Sequence, residues 1–500
     1  MERMITILPE GRKISVKTGG NLLEILRDHE LAPDAPCGGA GTCGKCTVMV
    51  DGVQVRSCQY TVTDDVIVRL IPKDDTTRVL TGGCGAEVAI EPWQEGCMLA
   101  YDIGTTTVVC YLLQEGTGKV LATCSMVNPQ QSFGADVISR IQAALGGEME
   151  RLTRLIRREM TKLMNKACRE AGITPAQIGV VSVVGNPCMQ QLFLGISPDN
   201  LARIPFAPVL TKGEVREAQE YLPGCDGAKL LIVPDISGYV GADTVGCVLA
   251  TDIDNIEPPT LMVDIGTNGE MVLGNCHRMA ACATAAGPAL EGAKIQFGMR
   301  GAEGAIDHVW LEDGTLRCSV IGGGMAKGIC GSGLIDAVAV LVENGIVNRR
   351  GRMQTAQQAA VLADHLDEVD GQRIFKLIDG VYLTQNDIRE VQMAKGAIAA
   401  GIELMAEHLG IAVDEIQQVL LAGAFGSFIR PENACRIGLL PPVLLDKIQA
   451  VGNAAGSGAR RLACNKSELR RAEEIVEKAE FLELASMPGF QMCFAKNMGF

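Results

Sequence analysis

The stretch Cys37-Gly-Gly-Ala-Gly-Thr-Cys43-Gly-Lys-Cys46 places three cysteines and four glycines within ten residues, and Cys58 follows in the sequence RSCQ. The spacing is C-x5-C-x2-C-x11-C. Sets of four thiolates hold iron–sulfur clusters, and glycines let the backbone approach the sulfides and adopt positive φ. The stretch therefore predicts a loop around a [2Fe–2S] cluster. Zinc ligands or buried structural cysteines are the alternatives, although zinc sites rarely use so glycine-rich a loop.

The segments on either side of this loop predict a small α+β domain. Residues 4–17 read as two short strands around a Pro-Glu-Gly turn, and a helical pattern of leucine and isoleucine, from Leu22 to Leu31, follows the N-cap candidate Asn21. The segments TVMVDG and TDDVIVRLIP read as further strands. Hairpin, helix and strands predict a β-grasp domain over residues 1–83, followed by a linker at 84–97.

The cysteine spacing resembles that of ferredoxin domains. It has one residue more between the first two cysteines than the plant type, as adrenodoxin-type domains have. The resemblance implies that Cys37, Cys43, Cys46 and Cys58 are the ligands of a [2Fe–2S] cluster. Because the gap before Cys58 is shorter than in many ferredoxins, Cys84 is an alternative fourth ligand. Cys58 is favoured because SCQ followed by a strand is similar to the closing ligand of that family.

A second signature begins at Met98, where MLAYDIGTTTVVCYLL reads as strand, turn and strand, and it recurs near Asp264 as LMVDIGTNGEMVLGN. Two copies at domain-sized separation predict a duplicated α/β unit with a cleft between its halves. We place the halves at residues 98–255 and 256–500.

Other patterns in these halves fit the α/β assignment. Amphipathic helices are predicted at 148–172 and from about Asn386, where apolar residues keep helical spacing. Glycine-rich turns are predicted at 327–338 and 420–428. The polar segment 349–373 is expected to be exposed.

In both copies of the DIGT signature, an aspartate ends a buried strand and a glycine follows it. Such tight turns direct backbone N–H groups and hydroxyls toward phosphates, and carboxylates suit Mg²⁺. The sequence has no G-x-x-x-x-G-K-[ST], which excludes a P-loop NTPase. The pattern resembles the superfamily of acetate and sugar kinases, Hsp70 and actin (ASKHA), in which two Asp-Gly loops clamp the β- and γ-phosphates of ATP.

This resemblance implies a nucleotide site formed by three groups of residues. The phosphate and Mg²⁺ group is Asp102, Gly104, Thr105, Thr106, Asp264, Gly266, Thr267 and Asn268, the adenosine group is Gly423, Ala424, Phe425 and Gly426, and Gly331, Ser332 and Gly333 are further contacts. Glu291 and Glu270 are the candidates for a base, which a sugar kinase would need. We take Asp102, Asp264 and Glu291 as the catalytic candidates. The single histidines receive no role.

Composition limits the function classes. The chain has 500 residues, a formal net charge of −14 and a pI of about 5.0, which argues against non-specific binding to nucleic acid or anionic membranes. It has no signal-peptide-like start and no apolar run of about 18 residues, the length of a spanning helix. We expect a cytoplasmic protein. Its 19 cysteines then include metal ligands and buried residues rather than a disulfide framework.

The whole chain resembles the reductive activators of corrinoid proteins. The phrases that carry the resemblance are CGGAGTCGKC, VVGNPCMQQLFLGI, ATAAGPALEGAKIQFGMRGAEGAI, GICGSGLIDAV and LAGAFGSFIRPENACRIGLLP. The resemblance implies ATP-dependent reduction of cobalt(II) to cobalt(I) in a corrinoid protein of a methyltransferase or O-demethylase system. It also implies a low-potential electron donor, one cluster and a homodimer.

Three other functions compete with this hypothesis. An ASKHA small-molecule kinase with a redox-sensing ferredoxin domain would phosphorylate a sugar or an acid. An activator of the 2-hydroxyacyl-CoA dehydratase kind would carry a [4Fe–4S] cluster between two subunits, and the CGGAGTCGKC loop argues against it. A non-enzymatic redox sensor would bind ATP without turning it over.

Overall fold

A computed structural model of the chain describes residues 2–33, 35, 37–41, 43–71, 82, 89–266, 268–284, 286–292 and 294–500. The first part of the predicted linker, 84–88, lies outside the described residues, and so do the alternative ligand Cys84 and the phosphate candidate Thr267.

The N-terminal domain is a five-stranded sheet covered by one helix. Its elements are β1 (Glu2–Leu8), β2 (Arg12–Lys17), β3 (Gly20–Asn21), α1 (Leu22–Asp28), β4 (Thr47–Val50), β5 (Val53–Arg56), β6 (Thr61–Val62) and β7 (Val66–Arg69). The sheet order is β2-β1-β7-β4-β5, with β1 parallel to β7. The predicted cap is confirmed, because the Asn21 side chain accepts hydrogen bonds from Leu23 N and Glu24 N. The helix ends at Asp28, before Leu31, and the strand β5 was not predicted.

The first half of the larger unit is a six-stranded sheet with helices on both faces. Its elements are β8 (Cys97–Ile103), β9 (Thr107–Leu113), β10 (Val120–Val127), α2 (Val137–Ala143), α3 (Met149–Ala171), β11 (Ile178–Gly185), α4 (Pro187–Leu194), β12 (Glu214–Glu217), β13 (Lys229–Ile232) and α5 (Ala242–Thr251). The strand order is β10-β9-β8-β11-β13-β12. The helix predicted at 148–172 is α3.

The second half repeats this plan and adds two small sheets. Its strands are β14 (Thr260–Ile265), β15 (Gly269–Gly274), β16 (Met279–Thr284), β17 (Ala305–Glu312), β18 (Thr315–Val320), β19 (Gly328–Ile329), β20 (Leu366–Val369), β21 (Gln372–Ile378), β22 (Val381–Thr384), β23 (Gln418–Ala422), β24 (Ile448–Gly452) and β25 (Ala479–Phe481). Its helices are α6 (Gly331–Glu343), α7 (Gln385–Leu409), α8 (Gly423–Gly426), α9 (Pro431–Arg436), α10 (Ala454–Cys464), α11 (Ser467–Lys478) and α12 (Phe490–Asn497). The glycine-rich turn expected at 420–428 is thus a strand followed by one helical turn.

The duplication is visible in the two sheets. The second sheet has the order β24-β23-β14-β15-β16-β25, so its central antiparallel hairpin β14–β15 matches the hairpin β8–β9. Each hairpin has a parallel strand on its other side, β11 beside β8 and β23 beside β14. Both DIGT turns therefore lie at the same edge of their sheets, where the carboxyl ends of parallel strands open into a crevice.

Helices α5 and α10 pack between the two sheets and join the halves. One apolar core contains residues of β8, β11, β14 and β23 together with residues of both helices. The helices cross at two glycines, and a Cβ added at Gly458 would lie 2.1 Å from Gly246 O. The backbone itself fills this contact, so no side chain larger than hydrogen fits at Gly458.

Gly458→Ala is expected to lower the stability of the two-lobed unit by about 1–3 kcal/mol, the usual cost of overpacking a filled core. The measurement is the thermal unfolding midpoint of the purified protein. Gly324→Ala is the matched control, because a Cβ at that position meets nothing within 4 Å. An unchanged midpoint in Gly458→Ala would show that the two helices do not pack as described.

Candidate functional site

The four predicted cluster cysteines come together as two pairs. Cys37 Sγ and Cys43 Sγ are 3.2 Å apart, and Cys46 Sγ and Cys58 Sγ are also 3.2 Å apart. Within the described residues, no three His, Cys, Asp or Glu side chains are grouped as ligands of a single ion. Two thiol pairs suit two metal atoms that each take two thiolates, whereas one tetrahedral zinc takes four ligands at one centre. The donor set therefore fits an iron–sulfur cluster.

Local structure fixes these cysteines around the end of α1. The Asn21 side chain, which caps α1, also donates to Cys58 O at 2.8 Å. Gly38, Gly39, Gly41 and Gly44 all have positive φ. A Cβ at Gly41 would lie 2.6 Å from the Gln59 side chain, so this glycine is required by both conformation and space.

The environment of the thiols disfavours thiolates in the absence of a cation. Burial, followed by the neighbouring Cys46 thiol, raises the pKa of Cys58 to about 11. Burial also raises the pKa of Cys43. Metal binding must displace these protons, so the loop needs bound iron to hold four thiolates together.

Cys58→Ser is expected to lower the visible absorption of the reconstituted cluster at least about tenfold, because losing even a hydrogen-bond partner of a ligand typically costs about 10- to 100-fold in metal affinity. Cys84→Ser, at the alternative position, is expected to keep the absorption. Anaerobic reconstitution followed by absorption spectroscopy and iron counting measures both. The opposite ranking of the two variants would make Cys84 the fourth ligand.

The two halves of the larger unit enclose a cavity of about 310 Å³. It receives the phosphate and nucleotide candidates Asp102, Gly104, Thr105, Thr106, Asp264, Gly266, Asn268, Gly331, Ser332 and Gly423, and both carboxylate candidates, Glu270 and Glu291. Residues predicted from separate parts of the sequence thus meet in one cleft, with one DIGT turn on each wall.

The first turn is held by two asparagines. Asn453 Nδ2 donates to Asp102 Oδ2 at 2.8 Å, and Asn186 Nδ2 donates to Thr105 Oγ1 at 3.0 Å. Each asparagine is also a helix N-cap, Asn186 for α4 and Asn453 for α10. The helix ends and the turn are therefore fixed relative to each other.

In the second turn, the Asp264 side chain packs against the backbone of Gly423, the first residue of α8. Gly423 has φ of +81°, and a Cβ there would lie 2.4 Å from Asp264 Oδ1. The carboxylate of Glu291 lies on the same side, since Glu291 Oε1 is 3.9 Å from the position of a Cβ on Gly266. Asp264 pairs with Glu270 across β14 and β15, so both carboxylate candidates adjoin this turn.

The cleft concentrates buried acids. Burial raises the pKa of Asp102 to about 6 and, with the charges of Asp243 and then Asp102, that of Asp264 to about 7. Burial, opposed by a hydrogen bond from Thr244 N and reinforced by the charge of Asp102, leaves the pKa of Asp243 at about 7. A divalent cation relieves such mutual repulsion, and Mg²⁺ is commonly held by one or two carboxylates together with phosphates and water. The residues present therefore fit a magnesium nucleotide.

Four of the predicted nucleotide contacts lie outside the cavity or are not described in full. Gly333 faces the core, where a Cβ would lie 2.3 Å from Ile306 O, and Gly426 packs against Leu421. Neither is among the cavity-lining residues. The backbones of Ala424 and Phe425 form α8, and their side chains lie outside the described atoms.

Several lining residues were not found from the sequence, among them Asn186, Asp243, Arg300, His308 and Asn453. Two of them had a usable signal: Asn186 and Asn453 each directly follow a strand that ends in Val-Gly, at the edge where the turns lie. Asp243 lies in the first turn of α5 and has no distinctive neighbours.

The histidine at the cleft is oriented by a buried carboxylate. His308 Nδ1 lies 2.9 Å from Asp336 Oδ2, and Asp336, which is 1% exposed, also accepts from Asn433 Nδ2 at 2.6 Å. The hydrogen bond between His308 Nδ1 and Asp336 orients the imidazole ring, and His308 lines the cavity in that orientation.

Comparison with known proteins agrees with this two-part architecture. Residues 5–69 match the family described as 2Fe-2S iron-sulfur cluster binding domain. Residues 97–256 match the RACo middle region, and residues 258–500 match the C-terminal domain of RACo, the ASKHA domain.

Individual relatives are similar over most of the chain. The corrinoid activation enzyme RamQ of Eubacterium limosum is 35% identical over 423 residues, which cover 80% of this chain and 70% of the relative. A reductase of the Co(II) methylated amine-specific corrinoid protein from Methanosarcina barkeri is 27% identical over 432 residues, covering 78% and 75%.

A solved structure has the same fold over its full length. The structure of a reductive activator for corrinoid, iron-sulfur protein superposes with a TM-score of 0.72 and 28% identity, covering 100% of this chain and 98% of that one. Among the described residues, no helix is long and apolar enough to cross a membrane. The chain belongs to the RACo family of reductive activators of corrinoid proteins, with an iron–sulfur domain followed by an ASKHA ATPase unit.

Proposed function

We propose that this protein reduces cobalt(II) to cobalt(I) in a corrinoid protein, one electron at a time, and that it hydrolyses ATP to do so. The observation that carries the proposal is the presence, in one chain, of a four-cysteine loop and a two-lobed, carboxylate-lined cleft. The relatives named as corrinoid activation enzyme and corrinoid protein reductase support the substrate class.

A [2Fe–2S] cluster on Cys37, Cys43, Cys46 and Cys58 supports the electron-transfer half of the proposal. Such a cluster supplies one-electron chemistry at low potential, near about −400 mV in plant-type ferredoxins. Pairing of the thiols two by two favours two irons over one. Cys58 falls within the matched 2Fe-2S domain, which supports it over Cys84 as the fourth ligand.

The cleft supports the nucleotide half. Asp102 and Asp264, on opposite walls, would hold Mg²⁺ against the phosphates, and the turns after them would bind phosphate oxygens through N–H groups and the hydroxyls of Thr105 and Thr106. Glu291, beside Gly266, would orient the attacking water. This is positioning and charge stabilisation without a covalent intermediate.

The finer parts of the proposal concern partners. We propose a corrinoid protein of a methyltransferase or O-demethylase system as substrate, a separate low-potential electron donor, and a homodimer. The kinase and sensor hypotheses remain distinguishable, because a kinase phosphorylates an added sugar or acid and a sensor does not turn ATP over.

Anaerobic mixing of the reduced holoprotein, Mg²⁺–ATP and a cobalt(II) corrinoid protein tests the proposal. The cobalt(I) absorption band is expected to grow with ATP and to stay absent without it. No growth with several corrinoid proteins, despite an intact cluster and bound nucleotide, would contradict the proposed function.

A further inference from the structure

Among the contacts between the cluster domain and the ATPase unit, those of Arg27 reach the cysteine loop itself. Arg27, at the end of α1, donates from Nε to Ser132 O at 3.0 Å and from a terminal nitrogen to the same oxygen. That terminal nitrogen also donates to Gly38 O, 3.2 Å away, in the cysteine loop. The side chain is only 6% exposed, and its guanidinium carbon lies 5.0 Å from the centre of the Phe133 ring. Arg27 thus binds the residue after Cys37 and the ATPase unit at the same time.

The ATPase side of this contact is directly hydrogen-bonded to the first phosphate turn. Asn128 Nδ2 donates to Gly104 O at 2.8 Å, and Asn128 N donates to Thr106 O at 2.8 Å. Gln131 Nε2 also donates to Thr106 O, at 3.3 Å. Pro129–Ser132, a single 3-10 turn capped by Asn128, connects these bonds to the carbonyl that Arg27 holds.

A second route runs through a buried arginine. Arg140, which is fully buried, donates to Thr105 O at 2.5 Å and to Gly134 O at 3.1 Å. Gly134 directly follows Phe133, the ring against which Arg27 stacks. The carbonyls of Gly104, Thr105 and Thr106 are therefore all held by the segment 128–134 and Arg140, while these three residues line the nucleotide cavity.

Charged side chains also pair across the boundary between the domains. Two ion pairs flank Arg27, Arg151 with Asp28 at 3.1 Å and Arg158 with Glu30. No hydrophobic core cluster of the described residues includes apolar residues from both domains. Small polar interfaces of this kind permit relative motion of domains, so the docking of the cluster domain responds to small changes in a few contacts.

We propose that Arg27 is a positioning residue that couples nucleotide occupancy of the Gly104–Thr106 turn to the geometry of the cysteine loop. This inference rests on the proposed function and adds a route for its regulation. A nucleotide that rearranges the turn shifts its three carbonyls, the segment 128–134 moves with them, and Arg27 transmits the change to Gly38. Because coupling between two sites is reciprocal, docking of the cluster domain then changes nucleotide affinity as well.

The test uses visible circular dichroism of the oxidised, full-length holoprotein titrated with Mg²⁺–AMPPNP, together with calorimetry of nucleotide binding. In the native protein the cluster signal is expected to change, with half-saturation at the calorimetric dissociation constant. Arg27→Ala is expected to lose that change and to shift the dissociation constant about fivefold or more, although Arg27 does not line the cavity. Arg12→Ala, an exposed arginine of the same domain, is the matched control and keeps both properties.

Phe133→Leu provides a second variant that leaves the cluster domain unaltered. It removes the aromatic ring against which Arg27 stacks, so the nucleotide-dependent change in the cluster signal is expected to be lost here too. This variant therefore tests the coupling even if Arg27→Ala does not retain its cluster. A full spectral change in both variants would overturn the proposal. If the native protein binds nucleotide but its cluster signal does not change, the proposed coupling is wrong and the proposed function stands. If the native protein does not bind nucleotide, the proposed function is wrong as well.

Discussion

Asp264→Asn is expected to lower the ATP-dependent rate of cobalt reduction at least about 100-fold, the usual scale for losing a preorganised charge-stabilising group. Asp264 ends β14 on one wall of the cleft, and the Gly423 backbone is packed against its carboxylate. The amide keeps the size of the side chain but loses the negative charge that would bind Mg²⁺. Stopped-flow measurement of cobalt(I) absorption, with ATP hydrolysis followed in parallel, gives the effect.

Two controls separate this effect from damage to the fold. Asp313→Asn changes an exposed aspartate in the turn between β17 and β18, with positive φ that asparagine also tolerates, and is expected to behave as the native protein. The Asp264→Asn protein is also expected to keep its full cluster absorption. A cobalt reduction rate within about threefold of the native rate would show that Asp264 does not act in nucleotide binding or hydrolysis.

Cys43→Ala is expected to give the converse result, with cobalt reduction reduced to background while Mg²⁺–ATP still binds. Cys43 Sγ is paired with Cys37 Sγ at 3.2 Å, so its removal leaves one metal atom with a single thiolate from the loop. None of the described residues of the cysteine loop lines the nucleotide cavity. Visible absorption and calorimetry of the same preparation measure the two properties.

Cys276→Ala is the matched control for this variant, because Cys276 is a half-buried thiol in the turn between β15 and β16. It is expected to keep both absorption and activity. Retention of the cluster colour in Cys43→Ala would show that the ligand set is different.

The parts of the structure that were predictable from the sequence are those with strong local signals. The cysteine loop, the Asn21 cap, the long helices α3 and α7 and the two DIGT turns each follow from spacing or periodicity within a short window. The duplication was predictable because the same strand–turn–strand phrase occurs twice. These features fixed the β-grasp domain and the two-lobed α/β unit.

The parts that were missed depend on contacts between distant segments. Asp243 has its role only because α5 packs near both turns, and β5 is too short and exposed for a periodic signal. In the segment 349–373, expected to be exposed, Met353 and Leu366 belong to the apolar core, and Leu366 begins the strand β20 of the small sheet β20–β22. The contact of Arg27 with Ser132 O has no sequence signal at all, since its acceptor is a backbone carbonyl.

If ATP hydrolysis supplies energy to the proposed cobalt reduction, it changes the end point of the reaction as well as its rate, so the end point is the more direct test. With the electron donor poised at one fixed potential, we expect the final fraction of cobalt(I) to be higher with Mg²⁺–ATP than with Mg²⁺–AMPPNP or no nucleotide. A catalyst without energetic coupling changes only the speed of approach. Equal final fractions under all three conditions would contradict the account.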